Sequence, residues 1–453
     1  MILLTRSRQF MSSQRYGLLR MFFCFLLLNS QWAVYASEDD PDFLTLASLQ
    51  TEQALMDRRH IHENAELSLR EFNTQEYLKR SLATIPGIKE IEGEWGTGII
   101  ALLEGELPGP IVAWRTDMDA LPITETTGLP FSCERTDTLS GGRVTGVMHA
   151  CGHDMHMAIA LGMLRTLSSL RDHLPGSVLF IGEPGEEIGA GARSLIDAGV
   201  FVPDRMPRCA LALHVHPTLP YGTLGSCPGW ATGNVDGFRL KVFGDGGHGA
   251  YPHRGVDPVP IAARMILAFQ SIVSREIDVN HHAVISVGRI SGGTTNNVIP
   301  SEVALDATVR THDDETRHRL KELITRTVTG IAAAAGAPAP ELEYYFGTAA
   351  GYNHPELVLQ VRSVFRDLLG PEADIEYPAG MGGEDFGYFG RIVPGFQFRI
   401  GVARPDQEPQ SLHTPVFDPD ERALTLGIAV SSAVIWDQLH QTEELTDPSE
   451  LIE

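Results

Sequence analysis

Residues 177–198 read SVLFIGEPGEEIGAGARSLIDA and contain the parts of one βα unit. The apolar run 177–181 has the length of a buried strand, and a helical pattern over 192–198 follows it after a glycine-rich loop. Similar runs on both sides predict strands over 97–103, 111–115 and 209–214 and a helix over 155–170. This alternation is typical of an α/β domain whose sheet is covered on both faces.

The order of elements changes near Asn234. From there the patterns predict strand, helix, strand, strand, helix and strand over 236–243, 258–274, 283–290, 302–310, 314–335 and 341–346. A β-α-β-β-α-β order is the split-βαβ, ferredoxin-like arrangement, and its length suits a small domain. After this segment the α/β pattern returns, with helical patterns over 355–369 and 420–439. We therefore expect a discontinuous α/β domain, 37–233 and 347–453, into which a smaller domain, 234–346, is inserted.

The N-terminal segment 1–36 is predicted to be a cleavable signal peptide. Four arginines precede the apolar run 21–28, and small residues at 34 and 36 form a cleavage site. The alternative is an uncleaved anchor, but the run is shorter than the roughly 20 residues that a membrane span needs. We therefore expect a secreted or periplasmic protein with no stable membrane span after cleavage.

Composition limits the partners. The 453 residues are 43% hydrophobic, as in a globular chain, and the formal net charge is -23. Nucleic acid and anionic membrane surfaces would be repelled at long range, so neither is expected as a partner.

Metal-ligand residue types concentrate in four places. Residues 148–156 read MHACGHDMH, in which Cys151 and His153 flank a glycine. Glu186 and Glu187 lie in the loop after strand 177–181, His214 ends strand 209–214, and His413 precedes the last helix. Read singly, these residues are a buried cysteine, a helix cap or surface carboxylates. Because ligands bind at the carboxyl ends of strands in α/β sheets, the four together predict one metal site.

At this point the sequence resembles the aminoacylase and carboxypeptidase-type dinuclear metallohydrolases, in the amidohydrolase branch of hippurate and indole-acetyl amino-acid hydrolases. The resemblance is carried in order by segments 58–68 (RRHIHENAELS), 115–122 (RTDMDALP), 151–154 (CGHD), 182–191 (GEPGEEIGAG), 247–253 (GHGAYPH), 295–300 (TNNVIP) and 382–386 (GGEDF). It implies a zinc-peptidase-like α/β catalytic domain with an inserted dimerisation domain, and hence a homodimer through residues 234–346.

The resemblance also assigns roles. It implies two divalent ions per subunit, zinc, manganese, cobalt or nickel, held by Cys151, His153, Glu187, His214 and His413. Glu186 is then the general base, because a carboxylate beside the metals but not bound to them can take a proton from water. Asp119 is expected to orient the ligands, with a turn cap as its alternative role. His149 and His216 are expected to be hydrogen-bonded structural histidines, Glu384 to be structural, and Asp117 is left without a role.

Substrate contacts are expected from the inserted domain. By resemblance, His248 reaches the active site of its own subunit or that of the partner subunit. Asn297 and Arg310 resemble residues that recognise the substrate's free carboxylate. Their alternative roles are a loop cap and a surface ion pair. The expected reaction is hydrolysis of N-acyl or N-aroyl amino acids. A metallo-dipeptidase or carboxypeptidase of the same fold, a hydrolase with Cys151 as nucleophile, and a non-catalytic binding protein remain alternatives.

Overall fold

The computed structural model describes residues 41–452, and the predicted signal peptide lies outside them. The helices are α1 (Phe43–Ser48), α2 (Thr51–Glu63), α3 (Phe72–Ala83), α4 (His153–Ser168), α5 (Gly191–Asp197), α6 (Pro258–Arg275), α7 (Asp314–Ala334), α8 (Pro355–Leu369), α9 (Gly387–Gly390) and α10 (Ala423–His440). Each of these described helices is too short or too polar to cross a membrane.

The strands follow the alternation predicted from the sequence. They are β1 (Ile88–Glu90), β2 (Ile99–Glu104), β3 (Leu107–Asp117), β4 (Thr136–Thr138), β5 (Val144–Gly146), β6 (Pro175–Glu183), β7 (Cys209–Pro220), β8 (Leu224–Ser226), β9 (Gly229–Trp230), β10 (Asn234–Phe243), β11 (Gly247–His248), β12 (Ala283–Ser291), β13 (Val298–Ile299), β14 (Glu302–Thr311), β15 (Glu341–Tyr345), β16 (Tyr352–Asn353), β17 (Asp374–Glu376) and β18 (Gly395–Ala403).

A large mixed sheet forms the centre of the α/β fold, with strand order β1-β2-β6-β3-β7-β18-β8-β17. Its middle strands β6, β3, β7 and β18 are parallel, while β2 and β8 join them antiparallel. Alternating side chains supply two cores: Trp114 and Phe180 pack on one face with α4 and α10, and Ala113 and Ile181 pack on the other with α5. Both faces are therefore covered, as the continuous apolar runs predict.

A second, antiparallel sheet of four strands has the order β12-β14-β10-β15. Helices α6 and α7 cover one face over a separate apolar cluster that includes Phe238, Phe269 and Leu320. The open face carries cross-strand ion pairs such as Arg239–Glu343 and Lys241–Glu341. The element order is the one predicted for 234–346, and its description as an inserted dimerisation domain stays a prediction.

Candidate metal centre

The predicted ligands are delivered to the carboxyl edge of the large sheet. Strand β6 ends at Glu183 just before the turn that holds Glu186 and Glu187, strand β7 carries His214, and α4 begins at His153. Gly152 has a φ of 85°, and an added Cβ there would lie 2.4 Å from Val215 Cγ2. Glycine is therefore needed between Cys151 and His153, since it permits the left-handed turn that precedes α4.

The five predicted ligands lie together. The Cys151 Sγ is 3.3 Å from His413 Nε2 and 3.5 Å from His214 Nε2. The Glu187 Oε1 is 3.4 Å from His413 Nε2 and 4.0 Å from His153 Nε2. These atoms come from segments up to 262 residues apart, so only the fold brings them into one cluster.

The histidine tautomers suit metal binding. His153 Nδ1 donates to the backbone carbonyl of Asp119 at 2.8 Å, and His214 Nδ1 donates to the carbonyl of Val215 at 2.7 Å. Each ring therefore presents Nε2 as a lone pair to the cluster. Within the described residues, the buried His153 Nε2 and Glu187 Oε1 have no hydrogen-bond partner. Buried polar atoms seldom lack a hydrogen-bond partner, so these two atoms indicate a place for a ligand. One thiolate, three imidazoles and a carboxylate are donors that fit zinc or a similar divalent ion.

His413 has an unusual backbone, with a φ of 60°. A left-handed conformation costs energy in a residue with a Cβ. Its amide donates to the carbonyl of Ala150 at 2.9 Å, which ties the His413 loop to the Cys151 segment. This contact holds the imidazole against Cys151 although 53% of the side chain is exposed.

Glu186 lies beside the cluster, close to His153. Its Oε2 is 4.0 Å from His153 Nε2, and its side chain is 10% exposed. Burial, with the neighbouring Glu384 carboxylate as the next cause, raises the pKa of Glu186 well above its usual range. A buried carboxyl with a raised pKa is suited to hold and release a proton.

Asp119 connects two of the predicted ligands. One of its carboxylate oxygens accepts from the Glu187 backbone at 3.0 Å and from Ser68 Oγ at 2.6 Å, while its carbonyl fixes the His153 ring. Substituting Asp119 would therefore remove the carboxylate that holds the Glu187 backbone and Ser68, while the backbone carbonyl that holds His153 would remain. The role of Asp119 in orienting the ligands stays a prediction.

Asp117 and His156 support the neighbouring strand. The amide of Val215 donates to His156 Nε2 at 2.9 Å, so His156 Nδ1 carries the proton and donates to Asp117 at 2.6 Å. The Asp117 Oδ2 is also 3.6 Å from His153 Nε2. Asp117 thereby faces both a structural histidine and a predicted ligand.

A buried arginine, which the sequence analysis gave no role, lies behind the cluster. Arg115 is 1% exposed and contacts four carboxyl groups at 2.7 to 3.2 Å, those of Asp117, Glu183, Glu384 and Asp385. Glu384 also accepts from Gln397 Nε2 at 2.6 Å, in keeping with its predicted structural role. Burial and the adjacent Glu183 raise the pKa of Asp385 well above its usual range.

The cluster opens into a cavity of about 750 Å³. Its walls include Arg310, Arg399, His216 and Tyr377 as well as the predicted ligands. Arg310 is the one predicted substrate contact that lines it. His248 and Asn297 are exposed and lie outside this cavity, and His248 borders a separate, smaller one. Within one chain, therefore, these two residues are not brought to the metal centre.

The two histidines expected to be structural differ. His216 Nε2 is hydrogen-bonded to Tyr377 Oη at 2.7 Å, and burial followed by the Arg399 charge lowers the pKa of His216 to about 4. His149 is buried, but neither of its ring nitrogens has a partner among the described residues, so the expectation of a hydrogen-bonded His149 is wrong. Burial lowers the pKa of His149 to about 3, which keeps the ring neutral.

Arg399 was missed by the sequence analysis. A signal was present, because Gln397 and Arg399 alternate with Phe396, Phe398 and Ile400 along one strand. Such alternation predicts that one face of a strand meets a polar space.

The comparisons with known proteins agree with this geometry. Residues 113–437 match the model of peptidase family M20/M25/M40. An N-acetyldiaminopimelate deacetylase of Geobacillus sp. is 37% identical over 381 residues, which are 84% of this chain and 96% of the relative. An N-acetylcysteine deacetylase of Bacillus subtilis is 36% identical over 82% of this chain and 92% of its own length. A dinuclear metal-binding M20 peptidase of Bacillus subtilis superposes with a TM-score of 0.74 at 31% identity, covering 87% of this chain and 99% of its own.

One prediction is corrected by these relatives. The secreted or periplasmic location expected from residues 1–36 is contradicted by these relatives, bacterial deacetylases of N-acetyldiaminopimelate and N-acetylcysteine, which give no support for export. The prediction rested only on the order of basic and apolar residues in this segment.

Proposed function

We propose that this chain, which belongs to peptidase family M20/M25/M40 and is a metal-dependent amidohydrolase, hydrolyses N-acyl or N-aroyl amino acids to a carboxylic acid and a free amino acid. The observation that carries the proposal is the convergence of Cys151, Glu187 and three imidazole Nε2 atoms at one end of a 750 Å³ cavity. The names of the deacetylase relatives support the same substrate class.

Cys151, His153, Glu187, His214 and His413 would hold two divalent ions, whose identity is left open between zinc, manganese, cobalt and nickel. Bound there, the ions would polarise the amide carbonyl and make water more acidic. Cys151 lies buried between His214 and His413, so its thiolate would hold a divalent ion together with these imidazoles.

Glu186 would transfer a proton from the attacking water to the amide nitrogen. Its carboxylate lies 4.0 Å from His153 Nε2 and outside the contacts of Cys151, so it is free to take a proton from the attacking water. The protonated Glu186 then delivers this proton to the amide nitrogen as that bond breaks. Its buried position favours this exchange, because the neutral form is stabilised where water is scarce.

Arg310 would bind the free carboxylate of the amino acid. Its guanidinium lines the cavity beside Gly383 and offers a fixed fork of donors. His248 and Asn297 are proposed to reach the site of a partner subunit, in a homodimer formed through residues 234–346. This assembly is supported by the exposure of both residues and by edge strand β12, where Ile290 is 59% exposed.

Two other enzymatic classes are less well supported. A hydrolase with Cys151 as nucleophile would have no use for Glu187 and His413, both of which contact the same cluster. A dipeptidase would share the metal centre, so it differs only in its substrate. The relatives named above act on N-acetyl amino acids, which favours acyl amino acids over dipeptides.

The test is a hydrolysis screen of N-acetyl, N-benzoyl and indole-acetyl amino acids beside dipeptides, with zinc, manganese, cobalt or nickel added to the metal-free protein. We expect acyl amino acids to be cleaved only by metal-loaded protein. Glu186→Gln should keep its bound metal and lose about two to four orders of magnitude in kcat, whereas the neighbouring Glu187→Gln should also lose metal. Efficient cleavage of dipeptides alone, or full activity without metal, would contradict the proposal.

A further inference from the structure

Strand β18 places two polar side chains in the wall of the cavity. Phe396, Phe398 and Ile400 face the apolar core on one side of the sheet, while Gln397 and Arg399 line the cavity on the other. Side chains alternate between faces along a strand, so this division follows from the backbone. Arg399 is thus an arginine built into a mostly buried strand of the central sheet.

The register fixes Arg399 beside the metal centre. Strand β18 runs parallel to β7, and Arg399 is the partner of His214 in that register. Paired residues of neighbouring strands are about 5 Å apart and point to the same face. Arg399 therefore leaves the sheet next to a predicted metal ligand and on the same side as it.

No carboxylate among the described residues lies within ion-pair distance, 4.0 Å, of the Arg399 guanidinium. Its surroundings are nevertheless shaped for it. At Gly225 an added Cβ would lie 3.3 Å from Arg399 Cβ and 3.2 Å from Tyr377 Cβ, so the glycine gives both side chains room. Tyr377 is held in turn by its hydrogen bond to His216. A half-buried arginine that lines a cavity and has no carboxylate within ion-pair distance is suited to bind an anion.

The cavity holds a second arginine on another wall. Arg310 belongs to β14 of the four-stranded sheet, whereas Arg399 belongs to β18 of the large sheet. Arg310 is already occupied, under the proposed function, by the single carboxylate that every N-acyl amino acid carries. An ordinary substrate therefore leaves Arg399 without a partner.

We propose that Arg399 binds a second anionic group of the substrate, so that the enzyme prefers acyl amino acids that carry a carboxylate besides the α-carboxylate. This inference rests on the proposed function and makes Arg399 a determinant of specificity. The second carboxylate has two chemical sources, an acidic side chain of the amino acid or the far end of a dicarboxylic acyl group. Both present the same planar anion to the guanidinium fork.

The experiment uses two matched substrate pairs on the metal-loaded enzyme. N-acetylglutamate against N-acetylleucine places the extra charge on the amino acid, and N-succinylalanine against N-butanoylalanine places it on the acyl group. We expect the native enzyme to favour the charged member of one pair. In Arg399→Met the ratio of kcat/KM values within that pair should fall about 10- to 100-fold, the effect of losing a charge-assisted hydrogen bond. The neutral members should change by less than about threefold.

Two further variants exclude indirect causes. Arg399→Lys keeps the charge without the planar fork and should retain part of the preference. Arg80→Met removes an exposed arginine of α3, far from the cavity lining, and should leave both ratios unchanged. Because the preference is measured first in the native enzyme, the inference stays testable even where Arg399→Met does not fold.

Three results would overturn this inference. Equal kcat/KM values for charged and neutral members of both pairs in the native enzyme would refute the role of Arg399 and leave the proposed function intact, and so would an equal loss for both members in Arg399→Met. Failure of the metal-loaded enzyme to cleave any of the four compounds would instead refute the proposed function, and the inference with it.

Discussion

Arg115→Met should destabilise the protein more than any single surface change. The Arg115 side chain is 1% exposed, and its guanidinium contacts four carboxyl groups, those of Asp117, Glu183, Glu384 and Asp385. Methionine fills a similar volume but supplies no charge and no donors. The substitution thus leaves a buried cluster of acids without its cation.

The size of the effect follows from the burial. Removing one partner of a buried ion pair costs about 3 to 5 kcal/mol, because the remaining charge stays desolvated. With about 2.1 cal/mol/K of unfolding entropy per residue, a loss of about 4 kcal/mol lowers the Tm of a chain this long by roughly 5 °C. The conservative Arg115→Lys keeps the charge and loses part of the fork, so it should lose less.

The loss should depend on pH with a definite sign. Burial raises the pKa of Glu183 and of Asp385, and the Arg115 charge opposes that rise, so both pKa values should rise further in Arg115→Met. Groups with raised pKa favour the folded state at low pH and disfavour it as the pH rises through the folded pKa. The Tm deficit of Arg115→Met should therefore be smaller at pH 5.5 than at pH 8.

Thermal unfolding of the metal-free protein, followed by circular dichroism at both pH values, measures this deficit. The matched control is Arg193→Met, whose ion pair with Asp197 is exposed and should contribute less than about 1 kcal/mol. A deficit no larger than that of the control, or one that grows as the pH falls, would refute the reasoning.

Three further outcomes are expected. Cys151→Ser should lower bound metal as well as activity, measured by metal analysis of the purified variant; a variant that keeps its full metal content would remove Cys151 from the ligands. Hydrogen bonds to Asp154 and Glu125 outweigh the effect of burial and raise the pKa of His62 to about 9. The charged ring therefore contributes about 3 kcal/mol to the free energy of unfolding below pH 6.5, and this contribution is lost as the pH rises towards 9. The Tm deficit of His62→Gln should therefore shrink from pH 6 to pH 9.5, and a constant deficit would show that the ring is not charged. Mixing His248→Ala with Glu186→Gln should restore roughly a quarter of native activity after subunit exchange, since half of the dimers are mixed and each has one intact site; no recovery despite exchange would place His248 outside the partner's site.

Much of the candidate site could be predicted because its chemistry is local in the sequence. Cys151 and His153 flank a glycine, and Glu186 and Glu187 share one loop, which favoured a metal site. The division into ligands and a base came from the family resemblance. The contributions of His214 and His413 were accessible for a different reason. His214 ends a predicted strand and His413 lies in a loop before the last helix, and ligands bind at the edge where the carboxyl ends of parallel strands meet.

The sequence by itself determined the order of helices and strands, because apolar periodicity and glycine turns act over a few residues. The predicted helix 314–335, for example, is observed as Asp314–Ala334. Through the family resemblance, it also predicted which residues would bind the metal ions. What it could not determine was the environment of groups whose partners are distant in the chain.

Only the tertiary structure showed where the side chains of Arg115, Arg399 and His248 lie. The Arg115 contact with Asp385 joins residues 270 positions apart, and no local pattern encodes such a pair. Arg399 lies in an apolar run of the sequence, and the register of its strand with the neighbouring strand places it beside His214 in the cavity wall. His248 lies outside the cavity of its own chain because the short strand that carries it pairs with β13 and not with the large sheet. Long-range packing sets which charges share a space, and electrostatics in that space depends on distance and burial more than on position in the sequence.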